Sequence, residues 1–121
     1  DQAADIAEIV VQMNEKLPDQ FLHICKMGTV AMKMVNDSVN AYVDMKLDLA
    51  REVIKSDDEV DELFLKVRGE ILDAIREDSS RGEELLDLFM ITKYYERIGD
   101  HATNIAEWVE YAITGERSEE N

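Results

Sequence analysis

The sequence has few features that break a helix and none that cross-links one: its 121 residues include one proline, Pro18, five glycines and one cysteine, Cys25. A lone cysteine cannot form an internal disulfide, which fits a reducing compartment, and between Ile24 and Lys26 it reads as a small apolar packing residue. Basic residues are scarce. Thirteen of them against 28 acidic ones leave a formal charge of −15, which repels nucleic acid and anionic lipid and attracts cations or basic partner surfaces. Nucleic-acid binding is set aside on that ground. No run of about 18 apolar residues exists, because Lys26 and Lys33 interrupt the most apolar stretch, so no membrane insertion is expected. The acidic start at Asp1 does not resemble a signal peptide, and the cytoplasm is the expected location. What is present, 45% hydrophobic and 34% charged residues, suits a helical protein that buries one core.

The chain is organised around residues 96–107, E-R-I-G-D-H-A-T-N-I-A-E. On a helix, residues three and four apart share a face, so Glu96, Asp100, Thr103 and Glu107 form one polar stripe, with carboxylates at all but Thr103. Like charges at this spacing weaken a helix by a few tenths of ~1 kcal/mol, so stacking them calls for a cation or for a fully solvated face. The stretch also recurs. Asp1, Ala3, Ile6, Ala7 and Glu8 are identical to Asp100, Ala102, Ile105, Ala106 and Glu107 when the two segments are overlaid. Self-similarity over a long interval marks a duplicated unit, so residues 1–17 read as the end of one repeat and residues 18–115 as a whole one. Residues 116–121 form a charged tail expected to be disordered.

The periodicity predicts an all-α fold. Ile6, Val10, Met13 and Leu17 mark a first helix that Pro18 stops, with Pro18-Asp19 suited to the first turn of the next. Phe21, Ile24, Gly28, Ala31, Val35, Ser38, Tyr42 and Met45 then trace a long seam, with Met27, Met32 and Met34 packing beside it. His23 has no carboxylate or second histidine at i+4 and reads as structural or solvated. A turn near Lys46-Leu47-Asp48, with Asp48 as N-cap, leads to a seam of Ala50, Val53, Asp57, Val60, Phe64, Val67, Ile71 and Ala74. Ser80-Arg81-Gly82-Glu83 has the form of a capping box. It opens a last helix through Leu85, Leu88, Thr92, Tyr95, Gly99, Ala102, Ala106, Val109 and Ile113, which Thr114-Gly115 ends. Gly99, Ala102 and Ala106 make that seam narrow, so a neighbouring backbone is expected close beside Glu96 and Asp100. Asp57 is the misfit, because an unpaired carboxylate in a seam costs several kcal/mol or protonates. With Asp61 one turn on, it forms an Asp-x-x-x-Asp pair that could hold a hard cation; the alternative is a seam edge open to water.

Residues 96–107 followed by W-V-E-Y-A-I-T-G, together with D-D-E-V-D-E-L and the Met-Val helix, resemble the signature of the PhoU family over most of the chain. The resemblance implies an antiparallel three-helix bundle preceded by a helical stub, and a cytoplasmic negative regulator of phosphate uptake and phosphate-starvation signalling. It implies partners, the ATPase of the Pst phosphate transporter and a PhoR-type sensor kinase, and metal held by Glu/Asp-x-x-x-Asp motifs. Those motifs fall on Asp57, Asp61, Glu96 and Asp100, with Asp1 the counterpart in the other repeat and Asn104, Glu107 and His101 as supporting residues around the ligands. Fe, Mn, Mg or Zn are the candidate ions. Two-bundle members are longer, so most of a first bundle is missing here, and Ile6, Val10 and Met13 of the stub are expected to seek a second copy of the chain in a homodimer.

No enzyme is expected. The sequence shows no Gly-rich phosphate loop, no Ser-His-Asp set and no Cys-His pairing. A ferritin-like dimetal oxidase would need Glu-x-x-His motifs, whereas Gln20 stands three residues before His23 and Ile98 three before His101. A purely structural acidic bundle is the remaining alternative, and metal analysis separates it from the regulatory reading.

Overall fold

The computed structural model describes residues 2–115. Helices and the turns that join them make up the described residues: α1 is Gln2–Glu15, α2 Leu22–Asp44, α3 Leu47–Glu77 and α4 Gly82–Thr114, with a 3-10 turn, Ser79–Arg81, between the last two. Helices α2, α3 and α4 pack on one another as the antiparallel bundle the seams require, and α1 lies against α2. Asp1 and the tail, residues 116–121, lie outside the described residues.

The helix ends differ from the sequence reading, and each difference has a local cause. Pro18 does not open α2; its carbonyl accepts from the Phe21 amide at 3.0 Å in a turn that drives Phe21 into the core, and α2 starts at Leu22. Asp48 is not an N-cap, because α3 already begins at Leu47 after the extended Lys46. Asp48 instead lies in the first turn, where its charge suits the helix dipole. The capping box does not form. Asp78 reaches Ser80 first, accepting from its amide at 3.1 Å and from its hydroxyl at 2.5 Å, and the resulting 3-10 turn carries the chain into α4. Met45 ends α2 in the left-handed region at φ 50°, and Gly115 ends α4 at φ 77°.

The core follows the seams with two departures. Tyr42, Met45 and Ile113 lie on the outer surface, Tyr42 against the exposed Trp108 ring, whereas Met27, Met34, Ile54 and Leu63 are buried beside the expected positions. The other concerns α1. Val10 is fully buried, and Ile6 and Met13 are half-buried against the same core, so one chain covers Val10 wholly and the other two in part. The cover is a notch at Gly28, where a Cβ would meet the Tyr95 ring at 2.8 Å and Val10 at 3.0 Å. Through that notch Tyr95 of α4 crosses α2 and donates to the Asn14 Oδ1 at 2.7 Å, while the Asn14 amide donates to the Cys25 carbonyl at 3.2 Å. Burial pushes the Tyr95 phenol well above its ordinary range, so it stays a donor at all physiological pH. Gly99, in contrast, makes no close backbone approach: a Cβ there would sit 3.6 Å from Val60, an ordinary contact.

Candidate functional site

The antiparallel register of α3 and α4 decides what the carboxylates face. Thr103 reaches Asp57, Gly99 lies beside Val60, and Lys93 and Phe89 both stand against Phe64. Asp57 and Asp61 of α3 are therefore neighbours of Glu96 and Asp100 of α4, as their i,i+4 spacing on each helix allows. Farther along α3 and α4 a separate apolar groove is lined by Leu72, Ile75, Leu86 and Phe89.

The Thr103 hydroxyl lies 3.3 Å from Asp57 Oδ1 and 3.0 Å from the Gly99 carbonyl, so its one proton serves either acceptor. Burial raises the Asp57 carboxyl above its ordinary value, the charge of Asp100 raises it further, and the Thr103 hydrogen bond opposes both. Asp61 is raised by burial of its carboxyl, then by Asp57 and Glu96. Asp100 is raised by burial, then by Glu96 and Asp61, with Lys93 pulling the other way. Asp61 and Asp100 are exposed as whole residues, so solvent and salt screen the charge part of these effects. The acids thus raise one another's pKa between the two helices, although among the described residues no three His, Cys, Asp or Glu side chains are grouped so as to hold a metal ion.

The supporting residues scatter. His101 is exposed, Asn104 is exposed and lines a separate groove with Tyr42 and Trp108, and Glu107 is buried farther along α4. Asp1 falls outside the described residues. Sequence reasoning missed Lys93, whose ammonium donates to Glu96 Oε1 at 2.7 Å and stands 5.1 Å over the Phe64 ring. Its i,i+3 spacing to Glu96 was the available signal. Polar contacts between helices were also hidden: His23 with Glu70 at 2.8 Å, which makes His23 structural, Lys26 with Glu59 at 4.0 Å, and Arg51 with the buried Glu110 at 3.1 Å.

The fold is a three-helix bundle with a helical stub, and its surface carries neighbouring carboxylates on α3 and α4. The family profile described as PhoU domain matches residues 24–109, and the chain belongs to the PhoU family. A Clostridium acetobutylicum protein named phosphate-specific transport system accessory protein PhoU homolog is 41% identical over 122 residues, covering 100% of this chain and 56% of the relative. PhoU homolog 1 of Thermotoga maritima is 35% identical over 99% of this chain and 53% of its own length. A Pseudomonas aeruginosa homolog is 31% identical over 95% and 48%. The chain spans about half the length of the curated relatives it matches. Among the described residues no helix is long and apolar enough to cross a membrane.

Proposed function

We propose that this chain is a non-enzymatic regulatory adaptor of phosphate uptake and phosphate-starvation signalling, acting in the cytoplasm through contact with a Pst transporter ATPase and a PhoR-type sensor kinase. Membership of the family, and relatives named as accessory proteins of phosphate-specific transport, support the biological setting. The observation that carries the site is the register of α3 on α4, fixed where Thr103 meets Asp57 at 3.3 Å, which makes Asp57 and Asp61 neighbours of Glu96 and Asp100. Four carboxylates from two helices would offer an all-oxygen donor set if their side chains turned toward one ion, a set suited to a hard cation such as Fe, Mn or Mg more than to Zn, an ion that favours nitrogen and sulfur. A bound cation would supply charge compensation and tie α3 to α4; it would carry no chemistry. Dimer formation, if it accompanies this role, rests on surfaces other than Val10, such as the exposed Ile9 and Val11 of α1.

Two measurements test the proposal. Saturating metal at a hundredfold excess over its Kd should stabilise the bundle by about 2.7 kcal/mol, and Asp57→Asn with Asp100→Asn should abolish that gain. An unchanged metal response in the double variant would show a merely solvated acidic face. In cells lacking their own PhoU protein, the chain should restore repression of a phosphate-starvation reporter; a reporter left fully active would exclude autonomous regulation.

A further inference from the structure

The apolar groove between α3 and α4 takes no part in the carboxylate site. Its floor is the buried Ile71 and Leu85, its walls are Leu72, Ile75, Leu86 and Phe89, and its volume is about 340 Å³. The apolar strip continues past it on both helices. Leu65, 66% exposed, stands seven residues before Leu72, and Met90, 63% exposed, stands four after Leu86, so each shares a helix face with a wall of the groove. Leu86 itself is 61% exposed. Exposed apolar side chains that adjoin one another in this way mark an interaction surface.

Charge narrows what covers it. Among the described residues no acid lines the groove, although the chain carries 28, and the one charged group on it is the exposed Arg68. Arg76 and Arg81 each hold an acid three residues away, at 3.4 and 2.6 Å, whereas among the described residues no carboxylate pairs with Arg68. We propose that this groove docks an amphipathic helix of a partner protein, whose apolar residues at i, i+4 and i+7 fill it while one carboxylate beside them pairs with Arg68, a contact that needs neither metal nor phosphate. A helix laid between α3 and α4 packs on both at ordinary interhelix distance and adds a fourth member to the bundle. Arg68 is the first of the lining residues on α3, so the partner's acid falls at the end of the groove away from the α3–α4 turn. The guanidinium keeps its charge at every pH and forks to two oxygens, which fixes the direction of the docked helix. A second copy of the chain fits less well, because each copy brings a charge of −15 and the two repel. A small ligand fits less well too, since such sites aim several polar groups inward and this groove offers one arginine.

The test is fluorescence anisotropy of the full chain with a labelled synthetic helix of about 18 residues, long enough at 1.5 Å per residue to span the groove. The peptide is alanine-based and stapled, with leucines at i, i+4 and i+7 and one glutamate beside them; a second peptide carries lysine in place of that glutamate. Wild type, Leu86→Gln and Arg68→Glu are compared at about 0.15 M salt, which screens the long-range field of the chain. Both replaced side chains are exposed, so both variants should melt close to the wild type. The wild type should bind the glutamate helix about fivefold more tightly than the lysine helix, as a solvent-edged charge pair allows, and Arg68→Glu should reverse that preference. Leu86→Gln should weaken both about tenfold. No saturable binding of either helix, binding unchanged by Leu86→Gln, or the same preference in Arg68→Glu as in the wild type would each overturn the proposal. A wild-type chain that is dimeric by light scattering and monomeric as Leu86→Gln would give the groove to a second copy, and would overturn it as well.

Discussion

At the scale of single residues, the same residue type does opposite things at two places. Gly28 lies under the Tyr95 ring and Val10 with no room for a methyl group, so Gly28→Ala should cost about 1–3 kcal/mol through overpacking and loosen α1. Gly99 has ordinary space around it and sits in the middle of α4, so Gly99→Ala should add about 0.5–1 kcal/mol through helix propensity alone. Denaturant melts of the two variants check both signs, and a destabilised Gly99→Ala would mean that the α3–α4 approach is tighter than described. Met45 supplies a third case. It adopts a left-handed backbone with an exposed side chain, so Met45→Gly should stabilise the α2–α3 turn by about 1 kcal/mol, read as a raised melting temperature.

At the scale of elements, α1 is held by one polar thread and one apolar plug. Tyr95→Phe removes the bond to Asn14 and leaves that side chain's oxygen without its phenol donor, which should cost about 1–2 kcal/mol. The loss should fall on α1 before the bundle: hydrogen exchange of α1 amides should quicken while those of α3 keep their protection. Uniform acceleration across all four helices would show that α1 and the bundle open as one unit. The pairing is built from distant parts of the chain, since Val10, Gly28 and Tyr95 belong to three different helices.

At the scale of the whole molecule, charge dominates. A formal charge of −15 with Asp57, Asp61 and Asp100 raised above the ordinary 3.8 means that the folded, metal-free protein binds more protons than the unfolded chain between 3.8 and those raised values. Stability should therefore rise as pH falls from neutral into that window. Asp78 works in the opposite sense, since its carboxyl is held below 3.8 by the Ser80 hydrogen bonds and loses that stabilisation as pH falls through its folded value. Melting temperatures of metal-free protein across a pH series should thus pass through a maximum on the acid side of neutral, and added salt should flatten the rise by screening the repulsion. A monotonic fall in stability from neutral pH downward would contradict the repulsion between the acids of α3 and α4.

What the sequence determined by itself was periodic. Seams of apolar residues at spacings of three and four specified four helices and their buried faces, because an amphipathic stripe can be buried only one way. The i,i+4 acids Asp57, Asp61, Glu96 and Asp100 were legible for the same reason, each pair being local to one helix. Tertiary structure alone decided the contacts between helices: that Tyr95 passes Gly28 to reach Asn14, that His23 meets Glu70 and that Thr103 meets Asp57. The fate of α1 was decided there too, since no pattern within residues 2–15 says that Val10 fits beside a ring contributed by α4. Periodicity reports which face of a helix is buried, whereas register and rotation between helices depend on side-chain shapes that meet only after packing.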